Sequence, residues 1–351
     1  MRRSVFGASI GAAVVGALIL AGCGSSSSSS SASSSGSSSS GAGSAPVTLR
    51  LGLLANITHA SALIGIQQGF FSKNLGSGGK LTTTVYNSGT QETTAILAGQ
   101  LDAAYVGPNP AINAFQKSGG TAIKIISGAA TGGASVVVKP GITGASGLKG
   151  KVVATPSLGN TQDVAVRYWL KQNGLATTTT GGGDVTIKPT NPNSAAVLQF
   201  QSGQIAGASV PSPYDVEMVK DGGKVLFTEP GVTTVLVVTQ PFLKAHPGQV
   251  SDLLKGQIEA SDYIAKDPSA AQAAANTELA ALTGKGLTSS VLPAAFKEIT
   301  FTNDPDASSL STDAQQAKAV GLLTSTNLTG IFDLGPLNQL LKAAGEPQVN
   351  S

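Results

Sequence analysis

Cysteine is nearly absent from the chain: Cys23 stands alone, so no disulfide can form within it. Histidine is almost as scarce. His59 has no partner for catalysis nearby, and His246 precedes a helix start, where it reads as structural. No HExxH, GxSxG, P-loop or GxGxxG pattern occurs, which leaves zinc, hydrolase and nucleotide chemistry without sequence support. The reading is therefore of a protein that is not an enzyme, with no metal site and no cofactor. Aromatic residues make up only 5% of the chain and there is no basic stripe, so nucleic acid is not an expected partner. Apart from Arg2 and Arg3, the arginines are Arg50 and Arg167, so a guanidinium clamp on an anion is not assured.

What is present begins with a targeting pattern. Arg2 and Arg3 are followed by an apolar run from Val5 to Leu20 and then by Leu20-Ala21-Gly22-Cys23. Charge before a short apolar core marks residues 1–22 as a secretory signal; the run is short for a membrane-spanning helix. Residues 23–45 are almost entirely Ser and Gly. Such a segment cannot bury enough apolar surface to offset chain entropy and reads as a flexible tether. Loss of the two signal arginines takes the formal charge from +3 to +1, a nearly neutral mature protein. From Pro46 to Ser351 the chain is longer than one compact core usually holds, so two lobes are expected.

The stretch that organises the rest is Gly99 to Pro110. Leu101 to Val106 is a short apolar run, as in a covered parallel strand. Gly107-Pro108-Asn109-Pro110 stops it, and the spacing predicts Asn109 as N-cap with Pro110 as first helical residue. Gly203 to Pro213 repeats the order: Gly-Gln, an aliphatic strand, then Pro-polar-Pro, with Ser212 expected as cap and Pro213 as first helical residue. Two copies imply two α/β lobes, each offering helix N–H groups beyond the carboxyl end of a strand, where open α/β sheets bind ligands and where an anion is favoured.

Other candidates follow from the same logic. Val47 to Leu54 reads as the first strand, and the loop after it carries Asn56, Thr58 and His59 toward the cleft, although a lone histidine is more often a packing residue than a ligand group. Val152 to Ala154 is a strand whose exit loop holds Ser157 and Asn160; Asn160 suits a cap and a ligand contact equally. Ala134 to Val138 and Val232 to Thr239 read as the two crossings between lobes. The division expected is lobe 1 over 46–134 and 236–351 and lobe 2 over 135–235. The pocket residues expected are Asn56, His59, Gly107, Asn109, Ser157, Asn160, Ser212 and Tyr214.

Gly69-Phe70-Phe71, Leu97-Ala98-Gly99-Gln100-Leu101-Asp102, Leu148-Lys149-Gly150-Lys151-Val152, Val210-Pro211-Ser212-Pro213-Tyr214 and the tail Thr324 to Leu334 together resemble the extracytoplasmic solute-binding proteins of ABC importers, in the aliphatic-sulfonate, nitrate and taurine group. The resemblance implies an α/β, two-lobed periplasmic-binding-protein-like clamp of type II, each lobe a mixed sheet flanked by helices, joined by two crossing strands. It also implies capture of a small anionic solute and delivery to a membrane permease and its ATPase by a monomer. The lipobox-like Leu20 to Cys23 implies lipidation of Cys23 and anchoring on the extracytoplasmic face of the cell membrane. A ligand sensor, or a pyrimidine-precursor-binding protein of the same fold, is the alternative. The sequence departs from the family at Ser212, where an acidic residue is common, and at Ala206, where the first motif copy has Asp102.

Overall fold

The computed structural model describes residues 46–351. The expected signal (1–22), the tether (23–45) and the lipidated Cys23 lie outside the described residues. Two sheets organise the rest. The strands in chain order are β1 (Val47–Leu54), β2 (Gly79–Tyr86), β3 (Ala103–Val106), β4 (Ile123–Gly132), β5 (Ala134–Val138), β6 (Val152–Thr155), β7 (Thr186–Pro189), β8 (Gly207–Pro211), β9 (Lys224–Thr228), β10 (Val232–Thr239) and β11 (Ile299–Phe301). The first sheet runs β11-β4-β10-β3-β1-β2 and the second β7-β6-β8-β5-β9.

The sheets share one plan. In the first, β1 pairs in parallel with β2 and β3, and β10 lies antiparallel between β3 and β4. In the second, β6 pairs in parallel with β7 and β8, and β5 lies antiparallel between β8 and β9. Thus β3 and β8, which carry the two copies of the repeated motif, hold equivalent places. Each sheet also receives one antiparallel strand directly after a crossing: β5 follows β4, and β10 follows β9. The first crossing turns at Gly132 and Gly133, both at positive φ (75° and 71°), which glycine adopts without cost.

Residue pattern explains the layering. Along β10, Leu236 and Val238 enter one core while Val235 and Val237 enter the core on the opposite face, as a period of two requires in a sheet covered by helices on both sides. In β5, Val136 and Val138 face one core and Val137 the other. The edge strand β2 is instead Thr-rich and exposed over Thr82 to Val85. Among the described residues no helix is long and apolar enough to cross a membrane.

Both expected caps are displaced. The first helix of the motif spans Pro108–Lys117 with Gly107 as N-cap, so Asn109 and Pro110 lie inside its first turn. Proline fits the first helical position at 108 as well as at 110, because its missing N–H is unpaired there in either case. The second helix spans Tyr214–Lys220 with Pro213 as N-cap. Ser212 does not cap it: its N–H bonds the Gly133 carbonyl at 2.8 Å, its carbonyl accepts from Ile57 N–H at 3.0 Å, and its hydroxyl donates to Asp215 Oδ1 at 2.7 Å.

Candidate functional site

The carboxyl ends of β1, β3, β6 and β8 meet around a small cavity of about 20 Å³ between the sheets, lined on one side by Asn56, His59 and Gly107 and on the other by Asn160, Thr161 and Asn193. Five helix starts converge on it. Gly107 caps Pro108–Lys117, and Asn160 precedes Thr161–Gln172. Asn193 opens Asn193–Gln201, Thr58 and His59 lead into Ala60–Gln67, and Asn87 stands before the Ser88 cap of Gly89–Leu97. Unpaired first-turn N–H groups and aligned peptide dipoles therefore put partial positive charge on the cavity. About 20 Å³ is room for one water-sized group. The greater space lies beside it, in a groove of about 690 Å³ that shares Leu54, Asn56, Asn87 and Asn193 with the cavity. The groove walls carry Tyr86, Leu198, Tyr214, Leu279 and Leu282, with Glu217, Lys220, Asp221 and Lys285 also present. Leu198 is 64% exposed there.

The cavity holds no ionised side chain. His59 is 1% exposed, and its Nδ1 accepts the Leu54 N–H at 3.2 Å, an assignment that places the ring proton on Nε2. Burial lowers its pKa to about 3, so the ring is neutral and offers Nε2–H as a fixed donor. Asn160 Nδ2 donates to Gln162 Oε1 at 2.8 Å, while Asn160 Oδ1, Thr161 Oγ1 and Asn193 Oδ1 are buried without a partner. Such groups are costly unless something bonds them. Asn56 Oδ1 accepts from the Thr58 hydroxyl at 2.8 Å. Neither arginine reaches the cavity. Arg50 is held bidentately by Asp102, at 2.6 and 2.9 Å, and Arg167 by Asp163 at 2.9 Å and the Thr178 carbonyl at 2.8 Å.

Of the residues expected from the sequence, Asn56, His59, Gly107 and Asn160 line the cavity, and Asn56 and Tyr214 line the groove. The Tyr214 hydroxyl, beyond β8 of the second sheet, donates to the Ala55 carbonyl, beyond β1 of the first, at 3.2 Å, and burial raises its pKa to about 12. The others lie elsewhere. Asn109 is 3% exposed and both of its side-chain polar atoms are unpartnered, but it lines neither space. Ser157 meets Thr90 across the halves, and Ser212 is committed to the crossing. Asn87, Gln162, Asn193 and Thr233 line the cavity and were missed. Asn87 and Asn193 had a usable signal, since each stands at the boundary between a strand or loop and a helix. Among the described residues no cluster of three or more His, Cys, Asp or Glu could hold a metal ion.

The NMT1-like family model matches residues 42–280. Among curated protein sequences none matches the chain. Among solved structures, the alkanesulfonate-binding protein SsuA from Xanthomonas axonopodis pv. citri, bound to MOPS, is similar at 18% identity, with 81% of this chain and 96% of that one covered and a TM-score of 0.67. The periplasmic nitrate-binding protein NrtA from Synechocystis PCC 6803 is similar at 15% identity, covering 86% and 90%, with a TM-score of 0.70. The periplasmic aliphatic sulphonate binding protein SsuA from Escherichia coli is similar at 18% identity, covering 82% and 96%, with a TM-score of 0.62. At these identities the likeness establishes the fold: two mixed sheets flanked by helices, in the arrangement of periplasmic binding proteins.

Proposed function

Because the chain belongs to the NMT1-like family, we propose that it is an extracytoplasmic solute-binding protein that captures a small solute with an acceptor-rich, anionic head and delivers it to an ABC permease and ATPase. The observation that carries this is the convergence of five helix starts on a polar cavity without ionised side chains. Where the cavity opens into the groove, at Asn56, Asn87 and Asn193, helix-start N–H groups hold the head, and the groove takes the body of the solute. Asn56, Asn160 and Tyr214 contact it as well. Lobe 1 over 46–134 and 232–351 and lobe 2 over 135–231 close on the solute as a monomeric clamp, the boundary moved from 236 because β10 pairs with β3 and β4 from Val232 on, with Cys23 carrying the lipid anchor. The names of the similar structures, two sulfonate-binding and one nitrate-binding, support the anionic head. One observation favours the pyrimidine-precursor reading instead: Asn160, Gln162 and Asn193 bring both amide donors and acceptors, which suit the edge of a neutral heterocycle.

Calorimetry with pentanesulfonate, taurine, nitrate and an aminopyrimidine separates these. Binding of at least one anion, with a matching rise in melting temperature, supports the proposal, since a ligand that prefers the folded state stabilises it. Binding of the heterocycle alone moves the function to the second reading, and binding of none removes both.

A further inference from the structure

At the crossings the two halves meet over carboxyl groups that form no ion pair among the described residues. Asp215, at the start of Tyr214–Lys220, is 1% exposed. Its Oδ1 accepts from the Ser212 hydroxyl at 2.7 Å and from Val216 N–H at 2.8 Å, and its Oδ2 is buried without a partner. Glu229, in the link between β9 and β10, is 4% exposed and accepts from the Ser209 hydroxyl at 3.1 Å. Each meets an acid from the first half. Glu298, just before β11, reaches to within 3.4 Å of the same Ser212 hydroxyl. Asp313 lies on Ala307–Ala319, whose Leu310 and Ala314 pack into a core of the first sheet, and it faces Glu229; its Oδ2 is also buried and unpartnered. The charges acting on these carboxyls are acids: Glu298 at Asp215, Asp215 at Glu229, and Glu229 and Asp306 at Asp313. None of the ion pairs among the described residues includes one of them.

Carboxylates buried together without a counter-charge cannot all stay ionised. We infer that Asp215 and Glu229 form a proton-binding site at the crossings, and that a proton held there keeps the two halves closed. Burial, reinforced by the neighbouring acids, pushes both groups up to about 7. Separating the halves withdraws Glu298 and Asp313 and admits water, returning both carboxyls toward the ordinary range near 4. Between about pH 4 and pH 7 the closed form therefore binds more protons than the open form, and raising the pH through that window favours opening. Above about 7 the closed form is ionised too and the dependence flattens. For each proton linked, the closed-to-open ratio falls by up to about tenfold per pH unit.

The inference rests on the clamp reading, but its test needs no solute. Small-angle X-ray scattering of the ligand-free chain is expected to show a radius of gyration that rises between about pH 4 and pH 7 and levels off above. The variant carrying Asp215→Asn and Glu229→Gln, which keeps shape and removes the titrating charges, is expected to stay compact throughout. A flat wild-type curve, or an expansion retained in the double variant, overturns the site. Should that variant not fold, carboxyl carbon-13 NMR titration of the wild type decides: titration of Asp215 and Glu229 near 7 supports the site, and titration in the ordinary carboxylate range overturns it. A chain that binds none of the solutes above yet expands with pH loses the solute reading and keeps the proton site.

Discussion

Gly107→Ala tests whether the corner after β3 must approach the helix start after β6. Gly107 has φ −65° and ψ 151°, which alanine adopts freely, so the substitution strains no backbone. A Cβ at Gly107 would lie 2.5 Å from Thr161 Oγ1, about 1 Å inside ordinary van der Waals contact. Thr161 is 4% exposed and β-branched at a helix start, so it has little freedom to turn aside. Overpacking of this kind costs about 1–3 kcal/mol. Gly107 and Thr161 belong to different halves, so the cost falls on closure and appears as a loss of about fivefold to a hundredfold in solute affinity. The melting temperature without solute should stay close to wild type. The control comes from the same geometry: the new methyl would lie 3.6 Å from Thr161 Cβ, an ordinary contact, so adding Thr161→Ala should restore most of the affinity. Calorimetry of the two single variants and the double variant closes the cycle. If Gly107→Ala binds solute as the wild type does, or if Thr161→Ala gives no rescue, the corners do not close on each other and the reasoning fails.

His59 supplies a pH prediction. Its pKa is lowered in the folded chain, so the unfolded chain binds more protons between about 3 and the ordinary 6.5, and this histidine makes stability fall as pH drops through that window. In His59→Gln this acid-side loss should shrink in denaturant midpoints measured from about pH 4 to 7; an unchanged pH slope would show that the ring is not held neutral. Asp102→Ala removes the bidentate partner of Arg50, whose side chain is 43% exposed, and should cost about 1 kcal/mol of stability while leaving solute affinity alone, read by denaturation and calorimetry; a large affinity change would tie that pair to the site. Leu198→Asp, in the groove, should weaken binding of a long alkanesulfonate more than that of a short one, since each buried methylene contributes about 0.8 kcal/mol; equal losses would take the groove out of the solute site. Cys23→Ser should abolish lipid labelling and release the protein from the membrane, and labelling that persists would refute the anchor.

The parts of the fold legible in the sequence were those set by local pattern. The short, mostly apolar β3, β5 and β8, each buried over its whole length, signal themselves by composition, and the repeated Gly-Gln and Pro-polar-Pro stretches mark equivalent strands of two sheets. Cap positions were not fixed by pattern, because Pro108 and Pro110 both satisfy the first turn of a helix and only the exit direction of β3 chooses between them. The site was legible where one strand end or helix start supplies a residue alone, as with Asn56, Gly107 and Asn160. Ser212 lines neither the cavity nor the groove, and its hydroxyl bonds Asp215, a pairing set by packing at the crossing rather than by spacing. Thr233 was hidden because a crossing strand reads as core, and nothing local distinguishes a residue whose backbone neighbourhood borders the cavity.

The central claim is that helix starts following strands of the two sheets trap a solute head between exposed amide hydrogens. A crystal structure of the chain with pentanesulfonate tests it most directly. The account predicts sulfonate oxygens within hydrogen-bond distance of first-turn N–H groups of Gly89–Leu97 or Thr161–Gln172, with the alkyl chain along the groove beside Leu198. A sulfonate bound away from both helix starts, or held by Arg50, Arg167 or a lysine in their place, would contradict it.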